Sequence, residues 1–406
     1  MIEQVCEVCK STLVGPILDL GEHPLCDDLL EIGNSSAVPR YRQLIQLCST
    51  CLTAHQLVPV KKEELFKSDY HYRAGLTQDV LSGMRDFTSK VISTSKSHQP
   101  KSVLDIGCND GSLLGFFKEL LPSIETIGVD PTNAILESEG KIDFSYKGFF
   151  DKSIAIQILQ EHGQPDVISF TNVFAHIEDL PSLLESIQIL LGPQTILAIE
   201  NHYLGAILER NQFDTFYHEH PRTYSAKSFE YIAGSLGLEI ISTEFPSRYG
   251  GNIRVLMSSE KEAFFNSDKD SVSDESEFLT AFEKLQIVFD TWREDSKIVI
   301  NSLESQGKFH GKSLPGRAVM LISALDLDAS QMPAIFEQEK SPKVGFFVPG
   351  TSIEVRSDNE LLRLNPVRIV VWAWHIVDEI CDYLVSLNFH GEVWVPLPKF
   401  EVYKIL

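Results

Sequence analysis

Nowhere in this 406-residue chain do eighteen apolar residues run together, so it offers no membrane-spanning helix. Its first residues, MIEQVCEVCK, lack the apolar centre of a signal peptide. The expectation is a cytoplasmic protein with no membrane partner. Basic residues are scarce as well: 35 Lys and Arg stand against 57 Asp and Glu, a net charge of −22. A protein that tracks nucleic-acid phosphates carries a basic footprint, so no nucleic-acid partner is expected. A small anionic substrate stays open, because a local basic pocket fits inside an acidic protein. No short repeat occurs, and 43% hydrophobic with 23% charged residues is ordinary globular composition. The length suffices for two or three domains.

A disulfide framework is missing too. The seven cysteines (6, 9, 26, 48, 51, 108 and 381) are odd in number and unevenly placed. Four of them form two Cys-x-x-Cys pairs, Cys6 with Cys9 and Cys48 with Cys51. Each pair supplies two sulfurs from one tight knuckle, and two knuckles complete a tetrahedron around zinc. Such a site is closed and structural, although 38 residues between the pairs exceed the usual spacing of about 15–20. Cys26 reads as an ordinary loop or core thiol.

From Lys101 onward, apolar runs alternate with amphipathic ones: KSVLDI, then GSLLGFFKEL, then ETIGVD, and so on to TILAIE. Strands alternating with helices predict an α/β fold whose doubly wound parallel sheet is covered on both faces. The charged, serine-rich span 260–285 reads as a linker or insertion before a long helix near 277–306. The last hundred residues return to strand–helix alternation. The expected division is 1–75 for a zinc-binding domain, 76–300 for a cofactor-binding domain and 301–406 for a smaller α/β domain.

The turn Asp105-Ile-Gly-Cys-Asn-Asp-Gly111 follows the first strand of that alternation and opens a helix. Its glycines let backbone approach a ligand, but the spacing is not the G-x-G-x-x-G of NAD proteins. Asp130 ends the next strand, followed by Pro131, and its carboxylate could accept ribose hydroxyls. The pairing resembles class I S-adenosylmethionine-dependent methyltransferases. That resemblance assigns Asp105, Gly107, Asn109, Asp110, Gly111, Asp130 and Pro131 to the cofactor. It adds Asn172, Phe174 and His176, from NVFAHIE after the fourth strand; His176 reads equally as a capping residue.

The stretch FYHEHPRTYS, residues 216–225, is not the His-Glu-x-x-His of zinc proteases. With DIGCNDGSLL, GVDPTNA, TNVFAHIEDL, YGGNIRV, VPGTSIEV and the cysteine pairs, it resembles the three-domain C-methyltransferases of deoxysugar biosynthesis. That family methylates C3 of a nucleotide-linked 4-keto-6-deoxyhexose. The resemblance implies S-adenosylmethionine and structural zinc as cofactors, a dTDP- or GDP-linked sugar as substrate, and catalytic Tyr217 and His220. Either could be the base. Glu219 would contact the sugar or orient the imidazole. Tyr70 and Tyr72 match the family's reach over the substrate, or simply pack the zinc domain. Asn201 joins the substrate residues, as do Asn252 and Arg254 beside a turn like the family's His-Gly-Gly-Ser, which is also readable as plain strand entry. Arg317 could pair with a diphosphate. O- or N-methylation of another small metabolite is the alternative activity, an inactive scaffold a third, and a monomer the expected state.

Overall fold

The alternating apolar strands of the middle third assemble into a seven-stranded sheet in a computed structural model of the chain. Residues 4–67, 70–76, 78–94, 99–259 and 274–406 are described. Across the sheet the order is Glu239–Glu244, Asn252–Ser258, Ile196–His202, Val167–Thr171, Ser102–Ile106, Glu125–Asp130 and Phe144–Lys147. The last five are parallel; Asn252–Ser258 lies antiparallel to Ile196–His202 and to Glu239–Glu244. The sheet is therefore mixed rather than wholly parallel, because the chain returns through a hairpin at that edge. Val103, Leu104, Ile127, Ile168, Phe170 and Ile199 are buried without exposure, as strands covered on both faces require. Helix Ser112–Leu120 covers one face with Leu113, Leu114, Phe116 and Phe117. Each such side chain contributes roughly 1.5–3 kcal/mol of burial.

Two further sheets flank the first, and both draw strands from distant sequence. Ile17–His23, Tyr41–Leu47 and Ala54–Gln56 form a small antiparallel sheet that ends on Arg222–Thr223, directly after the His-Glu-His run. Leu30–Glu31 leaves that N-terminal hairpin to become the edge of an eight-stranded sheet built from residues 310–405. Helix Phe278–Glu304 ties the three together. Its Gln286 accepts from the Asp19 amide at 2.8 Å, and its Trp292 indole donates to the Pro396 carbonyl at 2.7 Å. Residues 260–273 of the expected linker lie outside the described residues. Among the described residues no helix is long and apolar enough to cross a membrane.

Candidate active site

The carboxyl ends of the parallel strands open into a cavity of about 400 Å³, within the range of small-molecule sites. Its first wall is the loop after Ser102–Ile106. Gly107 there has φ +76°, and a β-carbon on it would stand 2.5 Å from Val173, so only glycine fits this close approach. Asp130 ends the neighbouring strand. Its Oδ1 accepts from the Thr132 amide and hydroxyl at 2.8 and 2.6 Å, and its Oδ2 accepts from the Asn109 amide at 2.9 Å. Three donors thus fix an acceptor group at the cavity wall. Asp105 sits below, accepting from the Ser169 hydroxyl at 2.7 Å, and burial pushes its carboxyl up to about 7. Asn172, at φ +53°, and His176 complete this side.

Not every residue of the expected cofactor set reaches the cavity. Phe174 is fully buried in an aromatic cluster with Phe170, Tyr224 and Phe229. Gly111 is the left-handed N-cap of helix Ser112–Leu120. Asp110 accepts from Ser112 and from the Gly75 amide at 3.0 Å, fastening residues 74–76 to the loop. These three shape the site from behind.

Opposite stands the His-Glu-His segment, which is a turn: the His220 amide donates to the Tyr217 carbonyl at 2.9 Å. The turn aims Tyr217, Glu219 and His220 into the cavity together. His218 points away, with Nε2 3.0 Å from the Tyr41 carbonyl. His220 Nδ1 lies 2.9 Å from the Thr215 carbonyl. A carbonyl only accepts, so Nδ1 carries the proton and Nε2 keeps its lone pair. Burial, with a smaller push from Arg317, lowers this imidazole to about 4, so it is neutral near pH 7 with Nε2 unprotonated. Burial and the nearby Glu219 raise Tyr217 well above the ordinary tyrosine range, which makes it a donor near neutral pH.

Glu219 does not orient His220; that contact belongs to Thr215. Glu219 instead accepts from the Cys26 thiol at 2.7 Å and the Tyr70 hydroxyl at 3.0 Å. Burial raises its carboxyl to about 7. Cys26 is therefore a cavity residue, not an ordinary loop or core thiol. The cavity also takes in His202, Tyr249, Lys343 and His375. Sequence reasoning missed all four, because they come from four separate segments and no motif joins them. His202 could have been found: it ends the strand Ile196–His202, where the sheet opens.

Three expected substrate residues lie elsewhere. Asn201 is buried, and neither of its side-chain polar atoms has a protein partner. Arg254 is 2% exposed and pairs with Glu200, Glu244 and Asp86. Asn252 donates to the same Glu200 at 3.0 Å and to Asn172 at 3.3 Å. Arg254 and Asn252 brace the end of the sheet. Arg317 is consumed too: its guanidinium grips Asp214 through Nε and Nη2 at 2.8 and 2.6 Å and reaches Thr215 at 2.9 Å. It steadies the residue that holds His220.

Away from the cavity, the sulfurs of Cys6, Cys9, Cys48 and Cys51 all lie within 4.8 Å of one another. Cys6 and Cys51 are 3.5 Å apart, and Cys9 and Cys48 3.7 Å. A tetrahedron with zinc–sulfur bonds of about 2.3 Å has edges close to these. His55, Ser11 and Thr53 stand 3.0–3.2 Å from the sulfurs as outer partners, the support that ligand thiolates ordinarily have. The long loop between the pairs is spent on the hairpin that brings the two knuckles together. The N-terminal region that carries the cluster is tied to the cavity turn. Gln56 donates to the carbonyls of Tyr217 and His220 at 2.8 and 2.9 Å, and Arg222 joins Glu7 to the Ile177 carbonyl.

Three family models tile the chain in order. Residues 6–66 match a zinc binding domain, 78–243 a methyltransferase domain and 247–398 a C-methyltransferase C-terminal domain. The C-methyltransferase NovU of Streptomyces niveus is 23% identical over 411 residues, spanning 98% of this chain and 96% of that one. The chain thus carries, one after another, a zinc binding domain, a methyltransferase domain and a C-methyltransferase C-terminal domain. It is an S-adenosylmethionine-dependent methyltransferase, and its four cysteines are a zinc site. Among solved structures, the plantazolicin methyltransferase BpumL with SAH has a TM-score of 0.34 at 15% identity, covering 44% of this chain and 83% of its own. An O-methyltransferase family protein from Burkholderia thailandensis has the same TM-score at 12% identity, covering 45% and 56%. Scores this low add no weight to the assignment.

Proposed function

We propose that this methyltransferase alkylates C3 of a nucleotide-linked 4-keto-6-deoxyhexose, dTDP- or GDP-linked, in deoxysugar biosynthesis. The observation that carries the reading is the state of His220: neutral, with Nδ1 tied to Thr215 and Nε2 free, in the same cavity as the donor loop. Methylating carbon needs a carbanion equivalent, and a proton beside a ketone is acidic enough for an enzyme base once the enolate charge is stabilised. His220 takes that proton. The Tyr217 hydroxyl donates to the forming enolate oxygen, while Glu219, steadied by Cys26 and Tyr70, holds sugar hydroxyls. Gly107, Asn109, Asp130 and Asn172 would hold S-adenosylmethionine, which supplies the activated methyl. The Lys343 ammonium at the cavity wall suits a diphosphate. A cytoplasmic location belongs to this reading, since a zinc-bound thiol cluster suits a reducing compartment.

The test incubates the enzyme with such a sugar and S-adenosylhomocysteine in deuterated water. Deuterium should enter C3, and His220→Asn should abolish the exchange without weakening S-adenosylhomocysteine. Methylation at oxygen or nitrogen with no C3 exchange would overturn the reading.

A further inference from the structure

Tyr249 has a backbone that an aromatic residue rarely adopts, with φ +54° and ψ +22°. Such strain persists only where surrounding structure over-determines it, and it gathers at ligand sites. Here the neighbours do so on both sides. Arg248 is anchored to Glu200 and to the carbonyls of Asp79 and Val80. Gly250 and Gly251 follow at φ +87° and +122°, where β-carbons would strike Gln212 at 2.3 Å and Ala206 at 2.4 Å. Gln212 holds the Gly250 carbonyl at 2.7 Å, and Arg317 reaches the Tyr249 carbonyl at 3.3 Å.

What the strained backbone delivers is a ring on the cavity wall, 5.8 Å from the His202 ring, with its hydroxyl close to that of Tyr72. Tyr72 belongs to residues 70–76, which are pinned to the donor loop: Asn109 donates to the Tyr72 carbonyl at 3.2 Å and accepts from the Ala74 amide at 3.0 Å. The two phenols thus bridge chain segments far apart in sequence. Neither is needed to complete the core.

We infer that Tyr249 is a specificity-determining residue. With Tyr72 it forms a paired-hydroxyl wall that limits the size of acceptor the cavity admits and offers hydroxyl contacts to a polyhydroxy or carbonyl-bearing one. The kinetic arm of the test rests on the sugar reading above; a second arm does not.

Tyr249→Gly suits the left-handed backbone, so the variant should keep its melting temperature and its S-adenosylhomocysteine affinity. Its KM for the 4-keto sugar should rise about 10-fold or more with a smaller fall in kcat, and sugars with a bulkier C3 substituent should become substrates. Tyr249→Phe and Tyr72→Phe should each raise KM by roughly 3- to 10-fold, and the double variant by no more than one of them, because both disrupt the same pair of neighbouring hydroxyls. Additive single effects, or an unchanged KM and acceptor range in Tyr249→Gly, would overturn the inference. If the unaltered enzyme accepts no such sugar, the sugar reading fails alone, and Cys26 on the same cavity decides the wall. Its alkylation, located by peptide mass, should favour N-methylmaleimide over N-phenylmaleimide strongly in the unaltered enzyme and less in Tyr249→Gly. Equal selectivity in both would sink the proposal.

Discussion

In the donor half of the cavity, loops at the carboxyl ends of adjacent parallel strands supply the walls. Gly107, Asn109, Asp130 and Asn172 come from consecutive units of one sheet and are held by local hydrogen bonds. The acceptor half is gathered from far afield: Cys26 and Tyr70 from the N-terminal region, the turn at 217–220, Tyr249 and, from beyond residue 300, Lys343 and His375. Its central turn hangs on Gln56 of the zinc-binding region and, through Thr215 and Asp214, on Arg317 in helix Gly316–Ala324 of the C-terminal region. A site built within one sheet survives damage elsewhere; a site suspended between three does not.

The hardest blow to the comparison is therefore aimed far from the chemistry. Cys48→Ser leaves three thiolates, and structural zinc in small domains contributes on the order of 10 kcal/mol. Turnover should disappear while calorimetry still detects S-adenosylhomocysteine binding; loss of both together would show that the halves are not separable. Next comes His220→Asn, which should lower kcat by about 10²- to 10⁴-fold, the worth of a positioned base, at unchanged donor affinity. Gly107→Ala works from the other side. Its β-carbon meets Val173 at 2.5 Å, so S-adenosylhomocysteine should bind about 10-fold more weakly or worse, by titration, with a stability loss of roughly 1–3 kcal/mol.

The smallest effect is one histidine's share of the stability-against-pH slope. Burial lowers His220 to about 4 and His375 to about 3, and holds His176 and His202 below the usual range. Unfolded histidines titrate near 6.5. As pH falls from 6.5 toward 4, the unfolded chain takes up protons that these folded imidazoles refuse, so stability drops by about 1.4 kcal/mol per pH unit for each. Glu219, raised to about 7, runs the other way: its contribution is full below 4.5 and lost as pH rises through 7. Asp105, also raised to about 7, acts with Glu219, and two such groups against four lowered histidines leave a net loss on acidification. Urea midpoints across pH 4–7 check it, and His220→Asn should flatten the slope by one histidine's share.

The donor half could be read from the sequence because its residues are neighbours in sequence as well as in space. A strand, a glycine turn and an acid at the next strand's end are local features. Even so, the reading placed Phe174, Gly111 and Asp110 at the ligand, since a motif does not say which of its side chains turn inward. The zinc site was legible for the same local reason, being two knuckles whose chemistry needs no third party. The acceptor half was legible only at the His-Glu-His turn. Cys26 and His202 carry no pattern, Tyr249 stands in YGGNIRV and His375 in the late AWH without a role read from either, and the convergence of all four follows from three sheets exchanging strands at Leu30–Glu31 and Arg222–Thr223. Arg254 was misjudged because a strand arginine beside a turn looks free until its partners Glu200, Glu244 and Asp86 are seen.

The central claim is that the methyl group lands on carbon. Donor labelled with carbon-13 in its methyl group, reacted with a nucleotide-linked 4-keto-6-deoxyhexose labelled with carbon-13 at C3, gives a direct answer by NMR. A one-bond carbon–carbon coupling between the new methyl and C3 is the expected result. A methyl signal without that coupling, bound to oxygen or nitrogen, would contradict the account.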